Sequence, residues 1–264
     1  MIFLGATDTG KTTLVHKLHQ QLGGSILDAD LGQSTIGPPA CVSVGVPGRS
    51  DASFFVGDIS PRGCWEQVID GVVYCLHRAE RPCLIDTDGY VEGPEARAYK
   101  RALVQAVRPD LLVLLPRSKE LEDFKNLASR VIEVAAQNVG RKSVTRRIWA
   151  REEAFRHYFS QAQRRCWERR GLAVPSTIEP EDLLVGLSWQ GHFVGLGVLK
   201  ALTDEHVEIL TPVAQADALE LGRLRVREDG SHQRYSLQAH RQLHQRWDRK
   251  ELDQIEQQDQ HQRR

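Results

Sequence analysis

Apolar residues fall in two rhythms along this chain. Through the first part, short apolar runs alternate with helical stretches. Ile2–Leu4 predicts a strand, Lys11–Leu22 a helix, and Ser25–Asp30 a second strand. After a break at Gly37–Pro39, Cys41–Val46 and Ala52–Val56 predict two more strands. Ser60-Pro61 predicts the start of a helix carrying Trp65, Val68, Ile69, Val72 and Val73 at helical spacing. Pro82–Asp86 and Asp110–Leu115 are near-continuous apolar runs, the kind buried on both faces of a parallel sheet. Glu95–Val107 and Glu120–Asn138 are predicted as helices. Later the rhythm changes to short alternating runs, Leu184–Leu187, His192–Leu199, Val207–Pro212 and Leu219–Val226, which predict a small antiparallel unit. The expected class is α/β, a mostly parallel sheet flanked by helices, with a small β-rich C-terminal domain. The expected division is residues 1–174, including a basic helical lid at about 140–170, then 175–230, then a polar helical or disordered tail at 231–264.

Composition adds little until its distribution is considered. The chain is 41% hydrophobic and 27% charged, ordinary for a globular protein able to bury a core. Lys+Arg and Asp+Glu are equal at 35 each, so bulk charge selects no nucleic-acid partner. Between Arg141 and Arg170, however, ten Lys and Arg face only Glu152, Glu153 and Glu168. Such a block suits a polyanion or phosphate group, or simply a solvated basic helix. Five cysteines without a C-x-x-C pair read as reduced thiols in a cytoplasmic protein with no cysteine metal site. No apolar run approaches the ~20 residues of a membrane helix, and no signal leader opens the chain. Only Met1–Leu4 precede Gly5, an abrupt opening consistent with a start upstream or a fold that needs no N-terminal domain.

The chemistry begins at Gly5-Ala6-Thr7-Asp8-Thr9-Gly10-Lys11-Thr12, which fits G-x-x-x-x-G-K-[ST]. A strand before it and a helix after it make this a P-loop, so the domain is expected to be a P-loop NTPase. Backbone N–H groups of Gly5 through Thr13 are expected to hold the phosphates of ATP. Lys11 is expected to offset their charge and Thr12 to ligate Mg2+. "LDADLGQS", Leu27–Ser34, ends the next strand beside that loop, where ligands of open α/β sheets collect. Asp30 is a candidate general base or metal-side carboxylate, or else a helix cap. Asp28 is at least as well suited to a structural role, and Gln33 can orient substrate or water. In "CLIDTDGY", Asp86 is a candidate metal ligand, while Tyr90 offers a stacking face or packs at a sheet edge. Ser60, before Pro61, suits either a phosphate-binding helix start or an ordinary cap. In "RKSVTRRIWAREEAFRHYF", Arg147 and Arg151 share one helical face, placed to close over a transferred phosphoryl group.

In order and spacing these segments resemble the P-loop polynucleotide 5′-hydroxyl kinase family, over roughly Met1–Ser160. The resemblance rests on the P-loop, D-x-D-x-G-Q at Asp28–Gln33, Ser60-Pro61, D-T-x-G-Y at Asp86–Tyr90, and a basic lid ending in Tyr158-Phe159. It implies transfer of the γ-phosphate of ATP to the 5′-hydroxyl end of RNA or DNA, with Mg2+ as cofactor. It further implies Asp30 as base, Lys11, Asp30 and Arg147 as the catalytic set, and Thr12, Asp30 and Asp86 on the metal. Gln33, Ser60 and Tyr90 would meet the substrate. This chain departs from the family at Ile59, where a clasp often carries threonine. It departs again at Lys142-Ser143, where the lid tends to show Arg-Ser. An ATP-binding assembly factor with little turnover, and a kinase for a small acceptor, are the rival readings.

Overall fold

In the computed structural model, residues 1–136, 143–172 and 181–234 are described, and the chain divides into two units, Met1–Tyr158 and Phe159–Arg264.

The first unit is built on a seven-stranded sheet. Its elements are β1 (Ile2–Gly5), α1 (Lys11–Leu22), β2 (Ser25–Ala29), β3 (Cys41–Val46), β4 (Arg49–Phe55), α2 (Trp65–Leu76), β5 (Cys83–Thr87), α3 (Pro94–Val107), β6 (Leu112–Leu115), β7 (Val131–Glu133) and α4 (Val144–Tyr158). The strand order is β4-β3-β2-β5-β1-β6-β7. From β2 to β7 every pairing is parallel, while β3 and β4 add an antiparallel hairpin at one edge. Alternation along β1 sends Ile2 and Leu4 to one face and Phe3 to the other. The first two pack with Val68, Val72, Tyr99 and Leu103 of α2 and α3. Phe3 packs with Val15 of α1 and with Ile26, Leu84 and Val113. Helices on both faces explain why the central strands read as unbroken apolar runs. Parallel strands also leave the C-terminal ends of β1, β2 and β5 side by side.

Two expectations fail here. Glu120–Asn138 is not a helix. Glu122–Phe124 makes one 3-10 turn, Val131–Glu133 is a strand, and 137–138 lie outside the described residues. Leu121 and Phe124 are buried at the spacing a helix would use, but the edge beside β6 offers a ladder instead. Val131 pairs with Leu112, and Val134 donates to the Leu114 carbonyl at 2.8 Å. The adjacent β-branched Val131 and Ile132 suit that extended edge. The basic helix, in turn, ends at Tyr158. Gln163–Glu168 is a strand, β8, of the second unit, and the contact boundary precedes the expected one at 174/175. The surplus of arginines hid a period-two pattern in which Trp167 turns inward to the core.

The second unit adds β9 (Leu183–Trp189), β10 (His192–Leu202), β11 (His206–Thr211), β12 (Ala218–Val226) and β13 (His232–Arg234). Its six strands run in the order β13-β12-β9-β10-β11-β8, with every pairing antiparallel, as the alternating runs predict. Leu183, Val185, Leu187, Leu199, Val207, Ile209 and Leu219 form its core. Most of the predicted tail, 235–264, lies outside the described residues. Among the described residues no helix is long and apolar enough to cross a membrane.

Ile209 has no solvent exposure at the centre of this second core. Ile209→Ala is expected to destabilise the unit by about 2–5 kcal/mol, read as a lower urea midpoint of the transition that Trp167 fluorescence reports.

Candidate active site

β1 ends at Gly5, and the chain turns through residues 6–10 into α1. Asp8 and Gly10 adopt left-handed φ values of 61° and 91°. That backbone curls the loop over the first turn of α1, whose N–H groups have no partner within the helix. Thr9 donates its hydroxyl to the Ala6 carbonyl at 2.9 Å. Lys11 is buried, and its Nζ donates to the carbonyls of Gly5 (2.8 Å) and Ala6 (2.9 Å). Burial lowers the pKa of its ammonium, and the charges of Asp86 and Asp30 oppose that shift.

The parallel register brings β2 and β5 to the same end, pairing Asp28 with Asp86 across the ladder. Asp28 is fully enclosed and accepts five contacts: Asp30 N–H (3.0 Å), Thr35 N–H (2.6 Å) and hydroxyl (3.0 Å), Ile36 N–H (3.3 Å) and the Ser34 hydroxyl (3.4 Å). It ties the loop after β2 into place. Burial, with Asp86 nearby, pushes its carboxyl up to about 7. Asp30 points instead toward the phosphate loop's charges. Its Oδ1 accepts the N–H groups of Gly32 (3.0 Å) and Gln33 (3.1 Å), an anchored turn that leaves Oδ2 outside these contacts. Burial and Asp88 raise its pKa, while Lys11 holds it down. Asp86 accepts a hydrogen bond from the Thr12 side chain, and its pKa is pushed up to about 6, chiefly by burial.

Oxygen donors suit Mg2+, which keeps several waters and takes only one or two protein ligands beside phosphate oxygens. The residues fit that habit. Asp86 Oδ1 is buried without a hydrogen-bond partner among the described residues, and the Thr12 hydroxyl stands on the same carboxylate. No cluster of three or more His, Cys, Asp or Glu suited to a metal occurs among the described residues, so this would be a shared site rather than a protein cage.

The turn after β5 is held from behind by residues that sequence reasoning did not single out. Lys100 of α3 is wholly buried, and its Nζ donates to Asp88 Oδ2 at 2.9 Å and to the Asp88 carbonyl at 3.2 Å. Tyr99 donates its hydroxyl to Asp88 Oδ2 at 2.8 Å, and Asp88 Oδ1 takes the Tyr90 N–H at 2.8 Å. This clamp presses Gly89 onto the phosphate loop. A Cβ there would stand 2.2 Å from Thr7 Oγ1 and 2.5 Å from Thr7 N, so only glycine fits. The signal in the sequence was a lysine on the apolar stripe of α3, in line with Ala96, Leu103 and Val104.

Tyr90 and Ser60 belong to a second brace. Tyr90 donates its hydroxyl to Glu95 Oε2 at 2.8 Å, and the Arg62 guanidinium lies 4.7 Å from its ring centroid, covering one face. Glu95 Oε1 also accepts the Gly63 N–H at 3.1 Å. Ser60-Pro61 does not open a helix. Cys64 N–H closes a turn onto the Pro61 carbonyl at 3.0 Å, with Gly63 supplying a φ of 73°, and α2 begins only at Trp65. The Ser60 hydroxyl accepts the Arg62 N–H at 3.4 Å.

On the lid helix, Arg147 reaches the phosphate loop, 3.3 Å from Asp8 Oδ2, and Arg117 from the end of β6 donates to the Asp8 carbonyl at 2.9 Å. Residues Ala6, Thr7, Asp8, Tyr90, Arg117 and Arg147 thus border one cavity of about 320 Å3. One turn on, Arg151 lies beside Gly32 and feels the charge of Asp30. It borders a second cavity of about 370 Å3 with Gln33. The structure therefore gathers Lys11, Thr12, Asp30, Asp86 and Arg147 around the phosphate loop, sets Tyr90 at its rim, places Gln33 in the second cavity with Arg151, and leaves Ser60 within a turn.

Comparison with known proteins places this geometry. Residues 5–161 match the family model described as mRNA cleavage and polyadenylation factor CLP1 P-loop. A polyribonucleotide 5′-hydroxyl-kinase of Pyrococcus furiosus is 26% identical, over 87% of this chain and 88% of its own length. One from Methanocaldococcus jannaschii is also 26% identical over the same shares. A solved complex of Clp1p with Pcf11p superposes with a TM-score of 0.64 at 13% identity, covering 85% of this chain and 74% of that one, a likeness of fold.

Removing Lys100 leaves Asp88 as an unpaired buried charge. Lys100→Met is expected to cost about 3–5 kcal/mol, measured by chemical unfolding, and a neutral result would show that the clamp contributes nothing.

Proposed function

The chain belongs to the mRNA cleavage and polyadenylation factor CLP1 P-loop family, and on that premise we propose that it is a Mg-ATP-dependent polynucleotide 5′-hydroxyl kinase. One observation carries this reading: Asp30 is fixed by its own turn at the mouth of the phosphate loop, beside Lys11 and next to the arginine-bearing face of α4. The relatives' names favour an RNA end as acceptor. The five cysteines form no disulfide, which fits action in the reducing cytoplasm.

In this reading Asp30 accepts the proton of the acceptor 5′-hydroxyl as its oxygen attacks the γ-phosphorus, and the bond to the departing ADP oxygen breaks. Lys11 leaves the loop carbonyls for the β- and γ-phosphate oxygens, and Arg147 offsets charge that spreads over the transferring group. Thr12 and Asp86 would hold Mg2+, which when bound screens the phosphate charges. Gln33, beside Asp30, orients the acceptor, while Tyr90 and Ser60 flank its path.

Labelled ATP and 5′-hydroxyl oligonucleotides of both sugar types test this directly. Transfer to RNA is expected, and absence of transfer under conditions where ATP binds would sink the proposal. Asp30→Ala is expected to lower kcat by about 100-fold or more while leaving ATP affinity within a few-fold. Lys11→Ala should weaken both. The raised carboxyl pKa values also set the pH profile. The Asp86 carboxyl is pushed up to about 6 and must be ionised to act, so kcat/KM should fall as pH drops through that value rather than near 4, and burial raises Asp30 in the same direction. A limb near 4 would contradict the enclosed arrangement of these carboxylates.

A further inference from the structure

A second arginine besides Arg147 reaches the phosphate loop, and it comes from the sheet rather than from α4. β6 pairs with β1 to the last residue of each, Gly5 with Leu115. The two backbones run so close there that a Cβ on Gly5 would stand 2.9 Å from the Leu115 carbonyl oxygen. Arg117 follows Leu115 after Pro116, so strand register alone delivers it beside the loop. The Glu120 carboxylate then fastens the turn. It accepts the N–H of Arg117 (2.6 Å), the N–H of Ser118 (2.7 Å) and the Ser118 hydroxyl (2.8 Å). From that turn Arg117 Nη2 donates to the Asp8 carbonyl at 2.9 Å, and its guanidinium has no ion pair among the described residues. The contact differs in kind from that of Arg147, which lies against the Asp8 carboxylate, a full charge able to compete with a phosphate. Arg117 is held by a neutral carbonyl through one nitrogen, which leaves the rest of its fork of donors and its whole charge available. Both arginines border the cavity of about 320 Å3 over Ala6–Asp8 and Gly89.

Resting on the kinase reading above, we infer that Arg117 is a further catalytic residue, a fixed arm that grips the terminal phosphate of ATP and follows it through transfer. The N–H groups of the phosphate loop hold phosphates that ADP also carries. Arg117 stands past them at Asp8, where a third phosphate extends into the cavity. As the acceptor oxygen bonds to the γ-phosphorus and the bond to the ADP oxygen breaks, charge spreads over the equatorial oxygens of the moving group. Two N–H groups of one guanidinium match two of those oxygens. The hydroxyl proton still passes to Asp30, and Arg117 stays protonated throughout. Because Glu120 already fastens its turn, this arm is oriented before the nucleotide arrives, which is what makes such a charge effective in the transition state.

Nucleotide binding by the full chain, with Mg2+ and no acceptor, tests this without turnover, using ADP and the β,γ-imido analogue of ATP as probes. Arg117 is exposed, so its replacement leaves the core intact. Arg117→Met is expected to weaken the analogue by about tenfold or more and to leave ADP nearly unchanged. Arg117→Lys should recover part of the loss, since it keeps the charge without the fork. Glu120→Ala keeps the arginine but unfastens its turn, and should shift the analogue in the same direction by less. With a 5′-hydroxyl oligonucleotide added, Arg117→Met should also lower kcat by about 100-fold. Equal losses for ADP and the analogue would show an arginine that merely braces the phosphate loop, and no loss for either would show one without a role. Each of those results overturns the inference while transfer by the wild type upholds the kinase reading. Selective loss of the analogue in a protein that phosphorylates no 5′-hydroxyl would refute the kinase reading and leave the hold of Arg117 on the third phosphate standing.

Discussion

Four carboxylates, Asp28, Asp30, Asp86 and Asp88, crowd the C-terminal ends of two neighbouring parallel strands, and the site exists only because that repulsion is contained. Asp28 is contained by backbone and hydroxyl donors of its own loop. Asp88 is contained by Lys100 and Tyr99 from α3. Asp30 and Asp86 share the field of Lys11. Buried ions are stable only when every charge has a partner and every lone pair a donor, and three of these carboxylates largely meet that condition. Asp86 alone keeps an enclosed oxygen with no hydrogen-bond partner among the described residues, which is where a hard cation is most readily accepted.

Containment also sets the geometry. The Lys100 clamp pins the turn after β5, that turn brings Gly89 against Thr7, and Thr7 belongs to the phosphate loop. A helix packed on one face of the sheet thus helps to position the phosphate loop through the turn after β5. On the opposite flank the lid arginines divide their work between two carboxylates, Asp8 and Asp30, spaced as the helical repeat spaces Arg147 and Arg151.

Much of this was legible in the residues. Unbroken apolar runs flagged the parallel strands because helices cover both faces, and the glycine-rich loop announced its phosphate chemistry without help from the fold. Asp30 and Asp86 could be picked out because each closes such a run. The errors have physical origins. Leu121, Phe124 and Ala128 are spaced as in a helix, yet a free sheet edge captured the segment that follows. Gln163–Glu168 was read by its charge, although Trp167 was already marking an inward face. Lys100 stands on the apolar stripe of α3, but its role was out of reach, since only the tertiary fold reveals that Asp88 lies opposite it. The division of labour between Arg147 and Arg151 was equally out of reach, because sequence shows a shared helical face and not what each end of it meets.

The brace around Tyr90 has a mechanical consequence. Arg62, Tyr90, Glu95 and Gly63 join the turn before α2 to the turn before α3, so those two helices share one fastening at the cleft's rim. The opposing wall, α4, meets the phosphate loop through a partly exposed ion pair. The first fastening joins charged groups to neutral partners, a hydroxyl, an amide and an aromatic ring, whereas the second joins two full charges, so dissolved ions weaken the α4 contact more than the brace.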